Sequence, residues 1–396
     1  MKFQKITFLL LCALPHAFAT YGQAGRVGIG TTTPRAGLDV NHDDGIISTP
    51  VTGLGDVSNL PTNGGIRLMW IPKLAAFRAG SVDGSQWDTQ NIGDYSVALG
   101  GNNTALGSYS SAFGYNNYTF GNSSTASGRG NSTSGYAATA FGQDNTAEGV
   151  GSVALGYLTT ASGPRSIAMG HAALASGINS TSIGFSTRSG GISTLATGYE
   201  TEASGNYSTA MGSHANTNGK EGAFVIGDKS QGEGYVESLA PNKFTARFAN
   251  GYLLYTSADK TDFVALGPGG NAWITSSDST RKTNFESADG EQFLQKLRGL
   301  RLGSWNYKKQ DAKTMRHYGP MAQDFFSVYG HDGLGTIGND TTLNAADVDG
   351  VAFILLKALE KRTAELTNEI DHLKKQLAEI PGHDNRRLAG TKKGKL

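Results

Sequence analysis

One cysteine occurs in 396 residues, and it is Cys12, inside an apolar leader. A chain exported without that leader carries no disulfide, no thiol nucleophile and no thiolate for a zinc site. Charge is sparse too: 17 % of residues are Asp, Glu, Lys or Arg, and they cancel to +1. No basic block interleaves with aromatics, so no nucleic acid is expected as a partner. Long apolar runs are missing apart from ITFLLLCAL, which is too short to span a bilayer. It follows Lys2 and Lys5 and precedes Ala17-Phe18-Ala19, an A-x-A cleavage signature, so residues 1–19 read as a secretory signal. A lipidated Cys12 would need a small residue before it, where Leu11 stands. The eight histidines show no metal-ligand spacing, and Asp347 and Asp349 of ADVDG lack the rest of a calcium loop. That acidic stretch reads instead as a helix cap. Gly28 and Gly30 are only a fragment of a dinucleotide fingerprint, because Pro34 follows and no third glycine opens a helix. Neither a cofactor nor a metal is expected.

Glycine is what the chain has in excess, 55 residues, and much of it falls on a strict count. Gly100, Gly114, Gly128, Gly142 and their successors to Gly212 recur every fourteen residues, and a second series from Gly107 to Gly219 bisects the first. A fixed short period over nine units means a solenoid of stacked coils. Two residues before each glycine of the first series the residue is small (Ala98, Ala112, Ala126, Ala140), and one before it is often large (Leu99, Phe113, Phe141, Leu155). Neighbouring strand residues face opposite ways, so the small residue points into a thin roll and the large one outward. Before the second glycine series the outward position is mostly polar (Ser134, Glu148, Ser162, Ser176). One apolar stripe therefore runs along the roll and needs covering, and other copies of the chain can cover it. The glycines are expected to supply positive-φ corners. At ~4.8 Å per coil the rod is roughly 43 Å long.

Around the array, residues 20–94 read as loops and short strands with Trp70, Phe77 and Trp87 as packing residues. The repeats occupy 95–228, and 229–270 forms a neck in which NKFTARFANGYLLYT reads as a hairpin about Asn250-Gly251. From 271 to 380 charge rises and helical periodicity appears. Leu356, Thr363, Ile370 and Leu377 alternate with Leu359, Leu366, Leu373 and Ile380 at heptad spacing, a coiled coil over 355–380. A basic tail, 381–396, follows.

The recurring S-x-A-[LFM]-G at fourteen-residue spacing resembles the head repeats of YadA-like trimeric adhesins. That resemblance implies a left-handed parallel β-roll packed as a homotrimer, and a secreted or cell-surface location. Ser127 and Thr197 depart from it at the outward apolar position. Those adhesins end in a membrane anchor barrel, which has no counterpart here, so no transmembrane anchor is expected.

One stretch bears on chemistry: WITSSDSTRKTNF, residues 273–285. Ser277 with Lys282 five residues later is a weak sign of a Ser–Lys dyad, and a polar loop is the alternative. Together with LRGLRLGSWNYK, RHYGPMAQDFF and DVDGVAFILLKALEKR, it resembles the intramolecular chaperone at the C-terminus of phage tail spikes, endosialidases and many bacterial fibres. The resemblance covers about 275–377. It implies a small α+β domain that trimerises, helps the upstream β-fibre fold and, in many members, cuts itself free. Carried over, Ser277 is the nucleophile, Ser276–Ser277 the scissile bond and Lys282 the general base. A lysine can take that role only when burial or nearby cations bring its ammonium well below ~10.4. Asp278 orients the pair or caps the turn. Arg281 stands beside Lys282, while Thr280 occupies the position where the family usually has arginine.

The expectation is therefore a mainly β, trimeric, left-handed parallel β-roll of 14-residue repeats, followed by a small α+β chaperone domain that ends in a coiled coil. Its function would be that of an exported adhesin-like fibre that cleaves itself once, with no activity on other substrates. A non-cleaving adhesin with a permanent trimer clamp is one alternative. A phage-tail-like binder is another, and a secretion signal argues against it. Tyr95, Tyr109, Tyr115, Tyr157, Tyr199 and Tyr207 either line a glycan or host-surface site or serve in packing.

Overall fold

Small and large residues alternate in the repeats, and burial follows that alternation. In the computed structural model, which describes residues 60–230 and 234–380, Ala36, Val57 and strands Tyr21–Gln23, Arg26–Ile29 and Leu38–Val40, each repeat contributes one longer and one shorter strand. The signal segment with Cys12 and the basic tail lie outside the described residues. Five-residue strands such as Ser111–Tyr115, Thr125–Arg129 and Thr139–Gln143 stack in parallel, with Ala112 opposite Ala126 and Ala126 opposite Ala140. Two-residue strands such as Tyr118–Thr119 and Ser132–Thr133 form a second ladder with the same step. The result is a parallel β-solenoid of about 9 turns. Ala98, Ala112, Ala126, Ala140 and Ala154 from one ladder, with Ala105, Ala147 and Ala161 from the other, are completely buried. The interior takes only small side chains at these positions: Thr119, Thr133 and Ser182 occupy equivalent places and are also fully buried. Phe141 and Ile183 stand on the outer face, 44 % and 38 % exposed.

A second interior feature has no counterpart in the glycine count. Asn103, Asn117, Asn131 and Asn145 are fully buried and stack one above another. Asn131 Nδ2 donates to Asn117 Oδ1 at 2.9 Å and also to the carbonyls of Ser127 and Gly142. Its own Oδ1 accepts from the backbone N–H and side chain of Asn145. Thr159 ends the run, its hydroxyl donating to Asn145 Oδ1 at 2.7 Å. Each amide satisfies backbone carbonyls at the bend between the two strands from inside the roll. Asn131→Leu strands several of these groups at once and is expected to cost about 3 kcal/mol in denaturant unfolding. Asn131→Thr, which can keep one rung as Thr159 does, is expected to cost less.

Glycine acts differently from the corner role expected of it. In the first series φ is positive, +110° at Gly100 and +117° at Gly142. From Gly107 to Gly205 the second series has no such angle (Gly219, its last member, is at +67°), yet a Cβ on Gly149 would lie 2.0 Å from the carbonyl oxygen of Gly163 in the next coil. Close approach between coils, not the corner, excludes side chains there. The left-handed corners sit two residues further on and also recur every seven residues. They accept ordinary side chains: Asn102, Tyr109, Ala137, Asp144, Leu158 and Arg165 have φ between +53° and +61°.

Both ends of the roll are finished by polar plugs. At the N-terminal end, hairpin Gly65–Ile71 and Ala76–Val82 joins the long ladder, its second strand running parallel to Val97–Gly101. Trp87 is buried beneath it and donates from Nε1 to the carbonyl of Asn103 at 2.9 Å. Buried Arg78 donates to the carbonyls of Ser96 and Ala105 and to the Ser96 hydroxyl. Burial lowers its guanidinium to about 10, so it stays charged at neutral pH.

At the other end the hairpin about Asn250-Gly251 does not form. Phe244–Arg247 instead pairs in parallel with Phe224–Gly227, adding a further strand to the long ladder, with Phe244 against Phe224 at 5.5 Å. Tyr252–Tyr255 turns away and pairs antiparallel with Phe263–Leu266. Asp228 holds this exit: its carboxylate accepts from the Ala249 N–H at 2.7 Å, from Ser230 and from Arg247. These donors, the Ala249 N–H first, hold its pKa down to about 2. The folded-state value lies below the unfolded value of ~3.9, so this support is complete above pH ~4 and is lost as pH falls toward 2. Acid titration followed by amide exchange should show the 244–252 segment opening across that window, and Asp228→Asn should remove the pH dependence.

The chain divides into two units, residues 1–276 and 277–396. In the second, helices α1 (Gly290–Leu297), α2 (Ala322–Tyr329) and α3 (Ala345–Ala378) accompany a two-stranded ribbon, Leu302–Trp305 with His317–Pro320. Phe325, Tyr329 and Val351 form its core with Phe293, Leu300, Val328, Val348 and Leu355 around them. An ion pair between Arg362 and Glu291 ties α3 to α1 and lowers the Glu291 carboxyl. Capping of α3 falls to Asn344, which accepts from the Ala346 N–H at 3.0 Å. Asp347 lies in the first helical turn and Asp349 two residues on, so the acidic stretch is helix, not cap. Beyond the core, Leu359, Leu366, Ile370 and Leu373 of the heptad stripe are 46–62 % exposed. Ile380 follows the end of the helix.

Candidate active site

The five-residue spacing of Ser277 and Lys282 is closed by one tight turn. Strand Ile274–Thr275 precedes it, and a single 3₁₀ turn, Ser279–Arg281, folds the chain back. Asp278 caps that turn, its carboxylate accepting from the Thr280 N–H at 2.9 Å. That bond, with the Thr280 hydroxyl and the charge of Arg281, holds the Asp278 carboxyl below its ordinary range. Of the two roles open to Asp278, this geometry shows the cap. Thr280 is the partner that fits it. Arg281 ends the turn, and the Lys282 N–H donates to the Ser279 carbonyl at 3.2 Å. The lysine side chain then reaches back, and Nζ donates to Ser277 Oγ at 2.7 Å.

Both members of the pair are exposed in the single chain, while Ser276 is half-buried. A cavity of about 630 Å³ lies between α1 and α3, lined by residues that include Asp289, Glu291, Ala358 and Lys361. Neither Ser277 nor Lys282 lines it. The pair therefore sets a nucleophile in contact with an amine. The acyl group within its covalent reach is the Ser276 carbonyl, since Ser277 Oγ and that carbon can close a five-membered ring.

The six tyrosines divide. Tyr95 stacks on Tyr109 at 4.8 Å. Tyr157 and Tyr199 belong to a ladder with His171 and Phe185, with spacings of 5.2, 4.8 and 5.0 Å. Ring faces in this ladder are largely occupied by one another, which is packing. Tyr115 and Tyr207 are 51 % and 62 % exposed. His171 and Phe185 were legible as ladder members, because they follow Gly170 and Gly184 as Tyr157 follows Gly156.

A repeat solenoid is followed along the chain by a small helical unit that opens on a Ser–Lys pair, and two family resemblances accompany these two parts. Residues 92–117, 134–159, 161–187 and 189–215 match the family profile described as YadA head domain repeat, and 277–334 match the one described as chaperone of endosialidase. The interval 118–133 contains Ser127, the first departure from the outward apolar pattern, although its strand keeps full register with both neighbours. The chaperone match begins at Ser277 and stops short of α3. No curated protein matches the chain. Among the described residues no helix is long and apolar enough to cross a membrane.

Proposed function

We propose that the protein is an exported homotrimeric fibre that meets a host or glycan surface, and that its C-terminal unit aligns three chains and then releases itself by cutting Ser276–Ser277. The contact of Lys282 Nζ with Ser277 Oγ, at the first residue of the second unit, carries this reading. Lys282 removes the hydroxyl proton as Oγ attacks the carbonyl carbon of Ser276. The C–N bond breaks, the nitrogen takes the proton from Lys282 and becomes the α-amine of Ser277, and the acyl group moves to Oγ as an ester. Water then hydrolyses the ester, leaving the Ser276 carboxylate and the free hydroxyl.

Assembly supplies what the single chain lacks. A lysine becomes a base when it is desolvated or set among cations, and neighbouring copies packed around an exposed pair provide both. Cleavage then follows assembly and cannot precede it. Trimerisation itself is supported by two unpartnered apolar faces, the outer stripe of the roll and the Leu359–Leu366–Leu373 stripe of α3. Coils this alike would tolerate a slip of one repeat between chains, so an aligning tool is needed. Intact-mass measurement and sedimentation of the purified protein test the reading. The expected result is a trimer with a fragment beginning at Ser277. An uncut trimer would make the second unit a permanent clamp, and a monomer would end the fibre reading.

A further inference from the structure

Charge is thin along the roll, yet Arg188, Glu200, Glu202 and His214 crowd into neighbouring coils. Three of them line a cavity of about 290 Å³ with Ser186, Thr201 and Tyr235. At the strand position that carries Arg188 and Glu202, other coils have uncharged residues such as Ser132, Thr146, Thr160 and Leu174. Arg188 and Glu202 are direct ladder partners. They could neutralise each other, yet among the described residues no ion pair joins them, so each leaves its charged head to the cavity. Glu200 is held in place: His214 Nε2 lies 3.1 Å from its carboxylate, and His214 Nδ1 is anchored on Ser213 Oγ at 2.7 Å. Tyr235 forms the far wall, 46 % exposed, with one side tilted against His214.

These groups match a sugar. A guanidinium gives paired N–H donors to adjacent hydroxyl oxygens, carboxylates accept O–H groups, and an exposed ring covers a C–H face. Two carboxylates disfavour an anionic ligand, and the volume suits about one pyranose ring. We propose that this cavity binds the terminal residue of a neutral glycan. The proposal rests on the surface-fibre reading and names the ligand class that the reading leaves open.

The full-length protein would be titrated with methyl glycosides of galactose, glucose, mannose, fucose, N-acetylglucosamine and N-acetylneuraminic acid, with saturation-transfer NMR and calorimetry as readouts. At least one neutral glycoside is expected to bind. Arg188→Ala and Tyr235→Ala should each weaken it at least tenfold with an unchanged melting temperature, while Arg165→Ala, outside the cavity, leaves it alone. Arg188→Lys, which keeps the charge and loses the fork, should also weaken binding and provides a folded comparison. Binding of the acidic glycoside alone, of no glycoside, or of a neutral one equally by all variants overturns the proposal. A protein that still forms trimers and adheres to cells but binds no glycoside would sink the cavity and spare the fibre reading.

Discussion

Ser277→Ala is expected to leave the chain whole: the fragment beginning at Ser277 disappears from the mass spectrum and does not return on long incubation. The substitution removes one exposed hydroxyl, and nothing in the core of the second unit depends on it. Trimer content should therefore match that of the parent protein. Lys282→Met removes the amine that touches Ser277 Oγ and should have the same outcome by another route. Lys282→Arg separates base from charge, because arginine keeps the cation but stays protonated in proteins. It should fail as well, with a rate lowered by a factor of ~10²–10⁴ or more. Asp278→Asn is the informative contrast. It preserves a cap acceptor for the Thr280 N–H, so cleavage should slow only modestly if Asp278 acts through the turn. A loss as deep as that of Ser277→Ala would instead place its charge in the reaction. Cleavage by any of these variants at the parent rate would sink the dyad.

Much of this molecule was legible in its periodicities, and the main exceptions share a cause. Inward alanines and outward Leu, Phe and Met were readable because alternation along a strand is local geometry. The Ser277–Lys282 spacing was by itself only a weak sign of a pair, and the resemblance to the chaperone family gave it weight. Most of what escaped depends on partners in other coils. Asn103, Asn117, Asn131 and Asn145 also repeat every fourteen residues, but only stacking shows that each amide bonds the one before it and the bend carbonyls around it. NKFTARFANGYLLYT carries a strong local turn signal at Asn250-Gly251, and a further parallel pairing with Phe224–Gly227 overrides it. The acidic stretch at Asp347 and Asp349 is a separate, local miss: it has capping composition, yet Asn344 reaches the Ala346 N–H before it. A pattern confined to one strand or turn can be read alone, and a pattern that sets coil against coil cannot.

Gly142→Ala should be among the most damaging single-methyl changes in the roll. Its φ of +117° is one that an L-residue rarely adopts, and the added Cβ would lie 2.1 Å from the Gly156 carbonyl oxygen and 3.0 Å from Asn145 Nδ2. Neither neighbour can retreat. The carbonyl belongs to the next strand of the ladder, and Asn145 is locked between Asn131 and Thr159. The coils must part, and the expected loss is ~4 kcal/mol or more, the range reserved for substitutions with a named steric cause. Gly151→Ala is the control. It also has a positive φ, +65°, but its Cβ would meet only Arg165 Cγ, at 3.8 Å. One coil earlier the same position is already alanine, Ala137, at φ +53°. The cost there should stay near ~1 kcal/mol. Denaturant unfolding of the two variants side by side separates close coil approach from corner conformation as the reason for the glycine count. Equal losses would restore the corner explanation; a large loss at 142 with a small one at 151 shows that a left-handed corner alone does not demand glycine, and that the first series is kept by its wider φ together with the close approach of the next coil.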